Sequence, residues 1–173
     1  MKRWILPTII GLVVAAGAYQ ATLLATPYAL MHAAIKKVGR AGPENQFSFS
    51  KMSTADFQPI VRPSPDLSYS TCVFDLSKGP VLIDVEPIPD HYWAVGIYDA
   101  RTDVAAVRSA RDTDGKPAKL ALYKEGQTPP AGYDPVKLEH DRGLALIRIL
   151  LANPDEFPTI DTLRRKSTCK VAK

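Results

Sequence analysis

The sequence predicts a mainly β protein: an antiparallel, β-sandwich-like domain with an N-terminal transmembrane helix before it and a short C-terminal helix near its end. Three observations predict this. No formally charged side chain occurs from Trp4 until Lys36. Between Tyr69 and Tyr123 apolar residues recur at every second position in several short runs, the period of a half-buried strand. Proline and glycine number 15 and 10 in 173 residues, enough to separate many short elements by turns.

The uncharged stretch from Trp4 to Tyr28 spans roughly 36 Å as a helix, enough to cross a hydrocarbon core of about 30 Å with an aromatic ring at each boundary. The same residues also fit a cleaved secretory signal, with Lys2-Arg3 as its basic head and Ala16-Gly17-Ala18 as its cleavage-like site. Apolar character continues past that site to Ala25, which favours an anchor. Pro27 is expected to kink or break the helix. Beyond it Tyr28, Met31 and Ile35 recur at spacings of three and four, followed by Lys36, Lys37 and Arg40. This reads as an amphipathic extension lying at the membrane surface. Leaving the basic head in the cytoplasm gives an inner-membrane protein with one span and a periplasmic domain. Gly17, Ala21 and Ala25 form a ridge of small residues that fits either helix pairing or the chance pattern of an Ala-rich anchor.

Three segments follow: residues 1–35 as anchor and juxtamembrane helix, 36–65 as an irregular linker, and 66–173 as the β domain. What remains after the anchor suffices for one core. The net charge of +4 is mild and its basic residues are scattered, so no nucleic-acid partner is expected.

Within the domain, Tyr69 to Leu76 places Cys72, Phe74 and Leu76 on one face. Ser77-Lys78-Gly79-Pro80 is a turn, after which Val81, Ile83 and Val85 share a face, so the two runs read as a hairpin. Tyr92 to Asp99 alternates with Trp93, Val95 and Ile97 together. Val104 to Arg108 and Lys119 to Tyr123 read as a further pair joined through Asp112-Thr113-Asp114-Gly115. That string is a turn rather than a calcium loop, because the first and last ligand positions of such a loop would fall on Ala110 and Ala121. Gly126 to Pro135 is a loop. Gly143 to Leu151 is an apolar run interrupted only by Arg148, and its length favours a strand. Pro158, Ile160 and Leu163, followed by Arg164, Arg165 and Lys166, fit a short helix whose cations complement its C-terminal dipole.

The runs Arg62-Pro63-Ser64-Pro65-Asp66-Leu67-Ser68-Tyr69-Ser70, Phe74-Asp75-Leu76-Ser77-Lys78-Gly79-Pro80 and Pro89-Asp90-His91-Tyr92-Trp93-Ala94-Val95-Gly96-Ile97-Tyr98-Asp99 together resemble the bacterial domain-of-unknown-function 1254 family, over roughly Thr26 to Leu163. Ser64 stands where Asn is common in that family. The resemblance implies a β-rich fold, a late strand bearing Arg148, and a short membrane-anchored form whose companion, the domain-of-unknown-function 1214 family, sits on a separate chain. It supplies no activity and no catalytic residues.

The candidate ligand-binding residues are Asp66, Tyr69, Asp75, Tyr92, Trp93 and Arg148, all within the patterned segments. Each has a structural alternative. Asp75 and Asp99 suit strand ends, where their carboxylates bind turn amides. The aromatics suit core or cross-strand packing. Arg148 must find a carboxylate or reach water, since an unpaired buried guanidinium is costly. Cys72 and Cys169 form either a disulfide, as an oxidising compartment allows, or a buried small hydrophobe and a tail thiol. His32, His91 and His140 have no ligand-spaced neighbours and no G-x-S-x-G elbow is present, so neither metal, cofactor nor catalytic set is expected. The sequence suggests a membrane-anchored binding or assembly module of the cell envelope. The alternatives are an enzyme or small-ligand-binding subunit completed by a separate partner chain, and a purely structural envelope component. A flat exposed apolar face favours the first; one pocket holding Arg148 with a perturbed carboxylate favours the second.

Overall fold

The structure, a computed structural model, describes residues 2–53 and 63–172. Pro59 of the expected linker and Arg62 of the first family-like run lie outside the described residues.

Helix α1 (Lys2–Val38) is long and apolar enough to cross a membrane and runs through both Pro7 and Pro27. No break occurs at Pro27. A proline removes one backbone hydrogen bond, and here long helical segments on both sides absorb the loss while the far end is held by packing. Met31 is buried and Ala34, Ile35 and Val38 are half-buried, so the three-and-four stripe turns toward the β domain. This corrects the expected surface-lying extension: periodicity marks an apolar face but not what covers it.

A one-turn 3-10 helix (Gly39–Ala41) leads to strand β1 (Phe47–Phe49), which lies inside the segment read as irregular linker. Then follow β2 (Leu67–Asp75), β3 (Val81–Val85), β4 (Trp93–Tyr98), β5 (Val104–Ser109), β6 (Ala118–Tyr123), β7 (Asp134–Lys137) and β8 (Arg142–Leu150). Helix α2 (Phe157–Arg164) and strand β9 (Thr168–Val171) complete the domain. The chain entering α2 is capped by Asn153, whose side chain accepts from Asp155 N at 3.1 Å while Glu156 Oε2 accepts from Asn153 N at 3.3 Å, a reciprocal satisfaction of otherwise orphaned donors.

The strands form two sheets, ordered β1-β2-β8-β4-β5 and β7-β6-β3-β9. Every pairing is antiparallel except β6 with β7, so the second sheet is mixed. The expected β2–β3 hairpin is absent: β3 pairs with β6 and β9 in the other sheet. The connection is a one-turn 3-10 helix (Leu76–Lys78) that ends at Gly79, whose φ of +130° is open to glycine alone. Leu76 is fully buried at this corner. The β5–β6 pair is likewise split, and β5 instead forms a hairpin with β4. A short connection with turn residues suits a hairpin or a corner between sheets equally, and the choice falls to packing.

The sheets meet over one core. Cys72, Phe74, Trp93, Val95, Ile97, Ala145, Ile147 and Ile149 of the first sheet face Val81, Ile83, Val85, Leu120, Leu122 and Cys169 of the second. Burying each large aliphatic side chain contributes about 1.5–3 kcal/mol. Cys72 of β2 and Cys169 of β9 are disulfide-bonded, with Cα atoms 6.6 Å apart, so the bond crosses from sheet to sheet. At the opposite edges Arg108 Nε meets Asp134 Oδ2 at 3.2 Å.

Candidate functional site

The outer face of the first sheet follows from strict alternation. In β8, Ala145, Ile147 and Ile149 point into the core, which turns Leu144, Leu146, Arg148 and Leu150 outward. Register places Tyr69 opposite Arg148 and Leu67 opposite Leu150. On the other side of β8, Gly96 lies opposite Leu146, and Val107 of β5 lies opposite Gly96. Gly96 leaves room for the Tyr98 ring, which lies over it; an added Cβ would sit 2.9 Å from that ring. The end of α1 packs against β2 and β8, and Gly39, just after it, lies beside the Val73 side chain. Beyond it Leu150 is 43% and Val107 47% exposed, while Leu67, Tyr69 and Leu146 are half-buried. The result is an apolar surface with a cation in its midst: Arg148 is exposed on the central strand between Leu146 and Leu150, and Arg111 lies 5.6 Å from the centre of the Tyr92 ring.

Four of the six sequence candidates gather near one end of this sheet. Tyr69 and Arg148 are cross-strand neighbours. Asp66 and Tyr92 adjoin the end of β8, where Asp66 O accepts from Leu151 N at 2.9 Å and Tyr92 O from Leu150 N at 2.8 Å. The Tyr69 hydroxyl accepts from Ser64 N at 2.9 Å. Asp75 lies at the other end of β2, accepting from Ser77 N at 2.8 Å and lying 3.6 Å from Arg142 Nε. Interaction with Ser77, against a smaller opposing effect of burial, holds its carboxyl below the ordinary range. Asp99 also binds turn amides, accepting from Arg101 N at 2.7 Å and Asp103 N at 3.2 Å. Trp93 is in the core, 1% exposed, and borders an open groove with Ile88, His91 and Ala110, away from Arg148. Arg148 takes the water-exposed course.

The buried cation is instead Arg164, which the sequence placed at the C-terminal end of a short helix, complementing its dipole. Only 1% exposed, it donates to Asp161, Tyr69 O, Ser70 Oγ and Ser50 O. Burial pushes its guanidinium pKa down, and Asp161 opposes that. Burial would raise the Asp161 pKa, but Arg165 and Arg164 outweigh it and lower the value. The i,i+3 and i,i+4 spacings from Asp161 were the visible signal, and they do not tell Arg164 from Arg165.

The model of the protein-of-unknown-function family DUF1254 matches residues 44–171. The chain belongs to the DUF1254 family. The match begins well after α1 and reaches through β9, so it starts later and ends later than the sequence runs suggested. Among solved structures, the domain is similar to the VPA0106 protein from Vibrio parahaemolyticus, with 17% identity, a TM-score of 0.64, and coverage of 84% of this chain and 35% of that one. It is also similar to an uncharacterized protein from Burkholderia cenocepacia, at 15% identity, a TM-score of 0.52, and coverage of 75% and 35%. At such identities the likeness is one of fold. This DUF1254 chain spans about a third of the length of each. No curated protein matches it.

Proposed function

We propose that this DUF1254 protein is a binding or assembly module of the bacterial cell envelope, the short membrane-anchored form of its family. In this reading α1 crosses the inner membrane with its N-terminus in the cytoplasm and holds the sandwich in the periplasm. The partner is a separate chain of the companion domain-of-unknown-function 1214 family, seated on the open face of the first sheet. The observation that carries the reading is that face: Leu150 of β8 and Val107 of β5 stay exposed, and Leu67, Tyr69 and Leu146 half-exposed, although the domain has a complete core elsewhere. Its exposed Arg148 suits an acidic group on the partner. The Cys72–Cys169 bond is consistent with an oxidising compartment. The enzyme alternative needs Arg148 and a perturbed carboxylate in one pocket; Asp75 sits at the far end of β2 and Asp161 on α2.

The test is affinity isolation of the full chain from detergent-solubilised membranes, with mass spectrometry of what is retained, run beside the Leu150→Asp and Arg148→Glu variants. A companion protein held by the parent and lost from both folded variants supports the reading. Equal retention by all three would move the contact off this face.

A further inference from the structure

The far end of α1 does not stand clear of the domain. Tyr28 Oη lies 3.3 Å from His140 Nε2, the two rings meet edge to face at 5.6 Å, and His140 Nδ1 is 3.4 Å from Asp99 Oδ2. Below this contact a crevice of about 610 Å³ opens between the helix and the domain, within the range of ligand sites. Met31 and Ile35 supply apolar wall, Ala100 faces them, and His32, Lys36 and Arg142 bring basic groups to the same space. Arg142 is engaged with Glu44 and Asp75. Among the described residues no carboxylate lies within 4.0 Å of Lys36.

The depth of this crevice follows from the helix. Trp4 to Tyr28 accounts for the hydrocarbon core, so Tyr28 stands at its boundary and the Lys36 backbone about 12 Å further on, just past the headgroup layer, with a long side chain that helix geometry tilts back toward it. A crevice with an apolar wall, a free cation and that position fits an amphiphile whose tail remains in the bilayer. We propose that it holds one anionic phospholipid of the adjoining leaflet, with the phosphate at Lys36 and the glycerol region against Met31 and Ile35. The inference rests on the reading of α1 as a membrane span and is independent of the partner on the open face.

The test uses the full chain in nanodiscs of phosphatidylcholine and phosphatidylglycerol at a four-to-one ratio, with native mass spectrometry of the lipid retained on release. One phosphatidylglycerol enriched over phosphatidylcholine is expected. Lys36→Glu lowers that enrichment about fivefold or more, and Ala100→Trp, which fills the crevice, does likewise. Lys37→Glu, the same charge change outside the crevice, leaves it in place. Equal loss from Lys36→Glu and Lys37→Glu would reduce the effect to general surface charge and overturn the site, as would retention without headgroup preference. Displacement of the lipid by excess inorganic phosphate would reassign the crevice to a soluble anion and overturn it also. A chain recovered outside the nanodiscs would remove the membrane span, and the lipid site with it, while leaving the open face untouched.

Discussion

Arg164 donates through Nε to Asp161 Oδ1 at 2.8 Å, one turn back on α2, in a setting where the guanidinium is almost wholly removed from water. The pair does more than neutralise a charge. Through Nη1 and Nη2 the same side chain reaches Tyr69 O and Ser50 O, each at 2.5 Å, while the rings of Phe157 and Phe49 lie 5.3 and 5.6 Å from it. One residue thereby joins α2, β2 and the chain after β1. Arg164→Ala is expected to cost about 3 kcal/mol, because it takes a buried donor from Ser50 O, Tyr69 O and Asp161, of which Tyr69 O keeps Ser50 and Asp161 keeps Arg165, and Arg164→Met recovers part of that. A fall in the denaturant midpoint at unchanged slope checks it; a parent-like midpoint would contradict the buried role.

Arg148 provides the contrast. Being exposed, Arg148→Ala is expected to change stability by no more than about 0.5 kcal/mol. Its effect belongs in partner retention, and a large loss of stability would show that the outer face is not open.

The disulfide joins residues 97 apart in sequence. In the chain-entropy model a loop of that length contributes up to about 4.7 kcal/mol. Replacing both cysteines by Ala is expected to lower the midpoint accordingly. Non-reducing mass analysis with thiols blocked at lysis should find no labelled thiol in the parent; two labels would show that the bond does not form in the cell.

Gly143 sits opposite Phe74 at the start of β8, and an added Cβ would lie 2.2 Å from Tyr98 O and 2.4 Å from Phe74 Cζ. A backbone oxygen cannot step aside as a flexible side chain does. Gly143→Ala is therefore expected to cost about 1–3 kcal/mol through overpacking, measured by denaturant unfolding.

His91 ties the loop before β4 to the turn before α2, contacting Pro89 O at 2.8 Å and Glu156 Oε2 at 3.1 Å. The Pro89 carbonyl, with help from Glu156, raises the His91 pKa against burial, while His91 is the main cause of the lowered Glu156 pKa. A raised histidine stabilises the fold fully below its ordinary value of about 6.5 and loses that contribution as pH climbs through the raised value. A lowered glutamate stabilises above its ordinary value of about 4.3 and loses that as pH falls through the lowered one. The pair is thus most favourable between these limits, and stability should decline as pH rises above the ordinary histidine value. His91→Gln is expected to flatten that decline in urea midpoints measured across the range; an unchanged slope would assign it to other groups.

Much of this molecule was legible in its residues because local rules govern them. An uncharged stretch of that length forms an apolar helix, and the alternations in β2, β3 and β4 marked strand positions and inward faces before any partner was known, while β8 was marked only by the length of its apolar run. Asp75 and Asp99 ended their strands on turn amides because a short carboxylate two residues from free N–H groups has little else to do. Strand β9 escaped notice since four residues around Cys169 carry too little pattern.

Partnership was what the sequence left open. Period two gives the face of a strand but not its neighbour, so β2 and β3 looked like a hairpin until the core divided them between sheets. Period three to four gave the stripe on α1 but not that the β domain packs against it. Arg148 and Arg164 look alike as letters, and only the tertiary structure decided which is buried, because burial depends on what packs over a residue and that cover comes from segments distant in the chain: Ser50 and Tyr69 close over Arg164, while nothing among the described residues closes over Arg148.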